Sequence, residues 1–445
     1  VTAGRGIRAV VGVALGAALL AAATPAAAMG RTDAALARPL ATDTGECTAS
    51  TRITDPVKAL GVLQSGDAWQ ITQGAGVTVA VVDSGVAANP HLDGAMAGAI
   101  DLVGDGAGAN ADLNGHGTAI AGQIAARPLD GSGVEGLAPA ARILSVRVFA
   151  GTESDQVKAG FGPSVARLAA GIRTAADNGA QIINVSMSTA TDDAGLRDAV
   201  AYAASRGSLV VASSGNRDNQ LAIEENAADG ARYPAGDPGA VGVAATDLSG
   251  VVTDASIHGP HVALAAPGQD ILTTSTQGGD CIYVSDKPAT SFATAYVSAA
   301  AALVAAAYPQ ETPAQWAYRL EVTAVRANPD QRTDAAGWGT IQPFEALVMV
   351  PGEGVRGPVS PFVSAEPVVS ETPSAAVSVT ARPPANSVAV FVGVIIAVLV
   401  AAALAIVGTL AVLRGRRRAG PHEGTSSLPA AHASHGLYGD QPGGR

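Results

Sequence analysis

Short β-branched runs and longer helix-like stretches alternate along the middle of this chain. Val77–Val82 is a continuous apolar run dominated by β-branched residues, the pattern of a strand covered on both faces. Comparable runs occur at Arg142–Val148, Gln181–Ser186, Ser208–Ala212 and Ala240–Ala245. Helical patterns lie between and after them, at Gly117–Ala126, Pro163–Asn178, Asp192–Ser205 and Ser291–Tyr308. Strands alternating with helices predict an α/β fold of three layers around a central, mostly parallel sheet. Right-handed crossovers then gather the strand ends on one edge, where such folds build their sites. Asp83 falls at the end of the first run, and Asn216 follows the Ser208–Ala212 run.

Two further apolar segments lie outside this alternation. Arg5 and Arg8 precede an apolar run from Ala9 to Ala23, and Ala26-Ala27-Ala28 follows Pro25. A positive end, a short apolar stretch and a small-residue site predict a secretory signal peptide over 1–28. The run is too short to span a bilayer comfortably, which favours cleavage over a retained anchor. The second segment, Val388–Leu413, holds 26 residues without a charge. As a helix it would reach about 39 Å, enough to cross a hydrocarbon core of about 30 Å with some tilt. Arg414, Arg416, Arg417 and Arg418 follow at once, whereas the preceding flank holds Arg382 alone. The positive-inside rule therefore predicts a cytoplasmic tail at 414–445 and everything before the helix outside.

The remaining divisions follow from composition. Residues 29–66 form an N-terminal extension, 67–350 the folded domain, and 351–387 a stalk rich in Pro, Ser, Val and Ala. A net charge of −11 argues against a nucleic-acid partner. The chain has two cysteines, Cys47 and Cys281, both on the expected outer side. An even count in an oxidising location favours one disulfide between them, the alternative being two buried thiols. Little else in the extension looks apolar enough to hold it in place.

Three short segments carry candidate chemistry: Val82-Asp83-Ser84-Gly85, Asn114-Gly115-His116-Gly117-Thr118 and Thr290-Ser291-Phe292-Ala293-Thr294. A serine hydroxyl is a weak nucleophile at neutral pH and needs a base within hydrogen-bond reach. That base needs a carboxylate to fix its tautomer and stabilise its cation. The order Asp, His, Ser distinguishes this layout from the other common arrangements of the same triad. Taken singly, Asp83 also suits a turn, and Ser291 also suits an ordinary helix cap. Asn216, in Ser213-Ser214-Gly215-Asn216, adds an amide donor at the sheet edge. Together with the Ser291 backbone N–H it would form an oxyanion hole.

These segments resemble the subtilisin-like serine proteases over Ala68 to Leu347. The stretch Trp69-Gln70-Ile71-Thr72-Gln73-Gly74-Ala75-Gly76 leading into Val77–Val86, the Asn114–Thr118 segment, and Gly337-Trp338-Gly339-Thr340-Ile341-Gln342-Pro343 through Ala346-Leu347 are similar to the mycosins in particular. The order of leader, extension, protease, Pro-rich stalk, single helix and short basic tail is also theirs. The resemblance implies a subtilisin-like fold and a membrane-anchored serine endopeptidase, with catalytic residues Asp83, His116 and Ser291 and oxyanion residue Asn216. It implies a peptide or protein substrate, no cofactor, and association with a type VII secretion membrane complex. The single C-terminal helix would hold the protein in the cell membrane. The alternative role is a catalytically weak structural subunit that stabilises the secretion channel.

The chain departs from the family pattern at three places. Ala289 stands where the family has Gly, Ala295 where it has Pro, and Ser186-Met187-Ser188-Thr189 replaces a glycine-bearing substrate edge. None removes a catalytic atom. His91 reads as structural, and His258 and His261 lack the acidic or Cys neighbours of a metal site. Asp101, Asp105 and Asp112 lack the ligand spacing of a calcium loop and read as a solvated loop before His116.

Overall fold

The computed structural model describes residues 47–217, 228–363 and 387–416. The expected signal peptide at 1–28, most of the stalk and nearly all of the tail lie outside the described residues. The chain divides into two units, the first ending at Ala365.

The first unit is built on a seven-stranded, wholly parallel sheet: β1 (Thr78–Asp83), β2 (Met96–Asp101), β3 (Arg142–Arg147), β4 (Ile182–Val185), β5 (Leu209–Ser213), β6 (Ala240–Thr246) and β7 (Leu264–Pro267). The spatial order is β2-β3-β1-β4-β5-β6-β7. From β1 the chain passes to the outer strand β2, returns to β3 beside β1 and then crosses to β4 on the other side, so the direction of winding reverses beside β1. In parallel sheets the crevice beyond the strand ends at such a switch is where ligands bind. Two short strands, β8 (Ile271–Thr274) and β9 (Asp280–Tyr283), form a separate antiparallel hairpin.

The helices are α1 (Lys58–Val62), α2 (Ser65–Trp69), α3 (His116–Ala125), α4 (Ser154–Lys158), α5 (Val165–Asp177), α6 (Ala194–Ser205), α7 (Thr290–Ala307), α8 (Pro313–Thr323) and α9 (Pro343–Val348). The long ones sort by face. Val79 and Val81 of β1 pack into one core with residues of α3 and α7, whereas Ala80 and Val82 pack into another with α5 and α6. Period-two alternation in a strand thus feeds two cores, which is why these runs carry no polar face. Each fully buried Val contributes on the order of 1.5–3 kcal/mol by leaving water. Helix α7 lies under the sheet against β4, β5, β6 and β7 and also packs on α3, α8 and α9.

The extension departs from expectation. Val57, Ala59, Leu60 and Leu63 are buried in the α3/α7 core, so apolar packing as well as the bridge holds residues 57–63. Upstream, the Ile53 N–H donates to Asp280 at 2.8 Å, and the Gly133 N–H donates to the Ile53 carbonyl at 2.7 Å. Cys47 and Cys281 are joined in a disulfide with Cα atoms 5.4 Å apart. His91 supports the same corner: its ring bonds the Arg127 carbonyl at 2.7 Å and Asp280 at 3.1 Å, a structural role.

In the second unit, α10 (Ser387–Arg416) is a 30-residue helix. Its segment Phe391–Ala411 is long and apolar enough to be a candidate membrane span. Helix α7, with 18 residues, is also long and apolar enough by that measure, but its side chains are consumed by the protein core.

Candidate active site

Asp83 ends β1, fully buried. Its two carboxylate oxygens lie 2.9 and 3.0 Å from His116 Nδ1, and the Ser84 N–H donates to one of them at 2.8 Å. A carboxylate on Nδ1 fixes the tautomer with its lone pair on Nε2. That Nε2 atom is buried and has no partner among the described residues.

The two glycines around the histidine have different reasons. Gly115 caps α3 at φ +92°, a conformation that L side chains rarely adopt. Gly117 needs space instead: a Cβ there would stand 2.1 Å from the Gly85 carbonyl oxygen and 3.2 Å from Asp83 Cβ.

Ser291 sits at the second position of α7 and is 3% exposed. The next residue, Phe292, places its ring 5.5 Å from that of His116. First-turn N–H groups of a helix have no intrahelical acceptor, and the dipole there favours negative charge. The Thr290 N–H is taken by Asn216 Oδ1 at 2.8 Å, and the Thr290 hydroxyl donates to the same oxygen at 3.0 Å. Two donors on one end identify it as the oxygen and turn the NH2 end of Asn216 away from Thr290. The Ser213 hydroxyl lies 2.7 Å from Thr290 Oγ1 and completes the brace. Asp83, His116, Ser291 and Asn216, scattered over the chain, are therefore carried by strand ends and helix starts at one edge of the sheet.

Sequence reasoning missed several supports. Asp112, expected in a solvated loop, is buried and accepts five hydrogen bonds. Its Oδ1 takes the Ser84 hydroxyl at 2.8 Å and the N–H groups of Asn114 and Gly115 at 3.2 and 2.7 Å. Its Oδ2 takes the Thr118 N–H at 2.8 Å and the Thr118 hydroxyl at 2.6 Å. Burial pushes its pKa up, against the pull of those donors. Asp101 and Asp105 are likewise not free: both pair with Arg147, buried at the end of β3, whose Nε reaches the Ser84 carbonyl at 3.2 Å. Hydrogen bonding from Arg147 is the main reason the Asp105 pKa falls to about 2. A buried guanidinium requires such counter-charges, and this corrects the solvated-loop reading. Below Ser291, the Ser186 hydroxyl donates to the Ser291 carbonyl at 3.1 Å, and Asn184 links Ser186 to Ser298. Polar residues inside an apolar run were the available signal for Asn184.

The departures at 289 and 295 are accommodated. Ala289 is extended, at φ −122° and ψ 133°, so its β-carbon imposes no backbone strain. Helix α7 continues regularly through Ala295, which is fully buried. Thr189 pairs with Tyr233 through reciprocal 2.9 Å backbone bonds, making the replaced segment an ordered edge. His261 is held by the Ser214 carbonyl at 3.0 Å, and burial lowers its pKa to about 4, which keeps it neutral.

A family model described as the subtilase family matches residues 74–339. The chain belongs to the subtilase family. This subtilase is 32% identical to Mycosin-3 of Mycobacterium tuberculosis over 352 residues, covering 69% of this chain and 75% of that one. It is 38% identical to Thermitase of Thermoactinomyces vulgaris over 244 residues, covering 55% and 80%. Among solved structures, MycP1 from Mycobacterium smegmatis aligns with a TM-score of 0.60 and 27% identity, covering 74% of this chain and 93% of that one. The MycP3 protease from the type VII (ESX-3) secretion system aligns at 0.58 and 29%, covering 70% and 94%. The subtilase is a serine protease of the mycosin type.

Proposed function

We propose that this mycosin-type subtilase is a membrane-anchored endopeptidase that cleaves peptide or protein substrates outside the membrane, with Ser291 as nucleophile. The observation that carries the reading is the Asp83–His116 pair, whose buried Nε2 has no partner among the described residues and whose ring lies beside the start of α7. Ser291 Oγ attacks the scissile carbonyl while Nε2 takes the hydroxyl proton. Asp83 stabilises the imidazolium, and Nε2 then returns the proton to the leaving amine. The oxyanion receives the Ser291 N–H and the Asn216 amide. The peptidase domain spans 67–350, with a signal peptide at 1–28 and an extension at 29–66. A stalk over 351–387 leads to the membrane helix at 388–413 and a cytoplasmic tail at 414–445. The mycosin kinship and the name of MycP3 support association with a type VII secretion membrane complex.

The test is labelling of the membrane-bound protein with a fluorophosphonate. Label is expected on Ser291 alone, lost in His116→Ala, strongly reduced in Asp83→Asn, and slowed in Asn216→Ala, since loss of an oxyanion donor raises the barrier by about 2.7–4 kcal/mol. Undiminished labelling of Ser291→Ala would refute the assignment.

A further inference from the structure

Helix α3 is buried along its whole length, and besides His116 and Thr118 its one polar side chain is Gln123. Seven residues make just under two helical turns. Gln123 therefore lies on the same face of α3 as His116, about 10 Å farther along the axis. From there its Nε2 donates to the Phe292 carbonyl at 3.2 Å. Phe292 follows Ser291 and is held twice from that face of α3, by Gln123 at its carbonyl and by the His116 ring, 5.5 Å from its own. Tyr283 stacks on the Phe292 ring at 5.9 Å.

The backbone does not call for this bond. Phe292 is the third residue of a regular helix, so its carbonyl already accepts from the N–H four residues on. Nor does packing call for an amide. A carbonyl oxygen only accepts, so the NH2 end of Gln123 faces Phe292, and Oε1 is buried with no hydrogen-bond partner among the described residues. An apolar side chain of the same length would fill the space without that cost. The amide does supply direction. The core that the two helices share is otherwise Ala and Ile from α3 and largely Ala from α7. Apolar burial is non-directional and sets the register of such smooth surfaces only weakly. Among the described residues no hydrogen bond other than those of Gln123 joins α3 to α7.

We infer that Gln123 is a positioning residue for the hydrolysis: its amide fixes the register of α7 on α3 and so keeps Ser291 Oγ within reach of His116 Nε2. The inference rests on the reading of Asp83, His116 and Ser291 as the triad. His116 opens α3 and Ser291 is the second residue of α7, so a slide of one helix along the other moves base against nucleophile. A misplacement of about 1 Å there can lower the rate on the order of 100-fold.

The test is steady-state hydrolysis of a fluorogenic peptide by the full chain in detergent, with thermal midpoints measured alongside. Gln123→Met keeps the length of the side chain and loses the amide, whereas Gln123→Asn keeps the amide and withdraws it by one methylene. In both, kcat should fall about tenfold while KM stays within about twofold, and fluorophosphonate labelling should slow in parallel. The midpoint of Gln123→Met should hold or rise, because the variant also removes the unpartnered oxygen. A glutamine that served stability alone would lower the midpoint and leave kcat untouched. Wild-type kcat in both variants, or a loss confined to KM, overturns the inference, and if Ser291→Ala still abolishes labelling the triad stands without it. Labelling that persists in Ser291→Ala overturns the triad itself.

Discussion

Replacing Asp112 by Asn changes one atom, yet it should disable much of the catalytic apparatus. The carboxylate ties the Ser84 turn after Asp83 to the first turn of the helix that His116 opens. An Asn that keeps its oxygen toward Ser84 and Gly115 turns its NH2 toward Thr118, which presents two donors. The Thr118 hydroxyl can rotate, but the backbone N–H cannot, and it is left buried against another donor. That strands one group at about 1–3 kcal/mol and loses a hydroxyl bond worth about 1 kcal/mol, so the total is about 2–4 kcal/mol. Thermal midpoints should fall by roughly 3–7 °C. Because the Asp83–His116 alignment loosens, kcat should fall about 10–100-fold while KM changes less than threefold. Steady-state kinetics on a fluorogenic peptide, with active sites titrated by fluorophosphonate, separates the terms. A lowered midpoint with wild-type kcat would refute the reasoning, since Asp112 would then stabilise the loop without aligning the base.

Three further outcomes follow from other parts of the molecule. Asp237 is buried, Arg197 approaches only to 4.0 Å, and burial raises its pKa from 3.8 to about 6. The native state therefore holds this proton more tightly than the unfolded chain, and stability falls as pH rises from about 4 to 6; Asp237→Asn should add up to about 3 kcal/mol at pH 8 and almost nothing at pH 4, by urea melts at both values. Cys47→Ser should remove up to about 5 kcal/mol in the chain-entropy picture, and limited proteolysis should cut before Val57 while the packed Val57–Leu63 stretch stays protected. Protease added to wall-stripped cells should remove the catalytic domain and spare an epitope placed after Arg418; an exposed epitope would reverse the proposed orientation.

What the sequence disclosed followed the strength of its periodicity. The buried strands at Thr78–Asp83, Arg142–Arg147, Ile182–Val185, Leu209–Ser213 and Ala240–Thr246 are near-continuous apolar runs, and the long helices between them were equally legible. Strand β2 escaped because Met96–Asp101 is a partly exposed edge of small residues, and β7 because Leu264-Ala265-Ala266-Pro267 holds no β-branched residue. Helices α1 and α2, five residues each, are held by tertiary packing rather than by propensity. At the site, Asp83, His116 and Asn216 stood out beside glycines, and Ser291 at the head of a long Ala-rich helical run. Asp112 and Thr290 did not, since their value lies in burial and in partners distant along the chain. Composition reads an acidic, glycine-rich stretch as wet, and only tertiary structure reveals the donors that dry it.

The central position of α7 also sets when this enzyme comes into being. Whether the chain leaves a ribosome or is threaded through a membrane, Asp83 and His116 emerge well before Ser291. The helix that begins with the serine is also the element on which β4 through β7 rest. On the proposed assignment, a partial chain ending before α7 has a base without a nucleophile, and it lacks the helix that covers β4 through β7. Hydrolytic competence on that assignment arrives only when α7 docks, with more than a third of the chain still to follow Ser291.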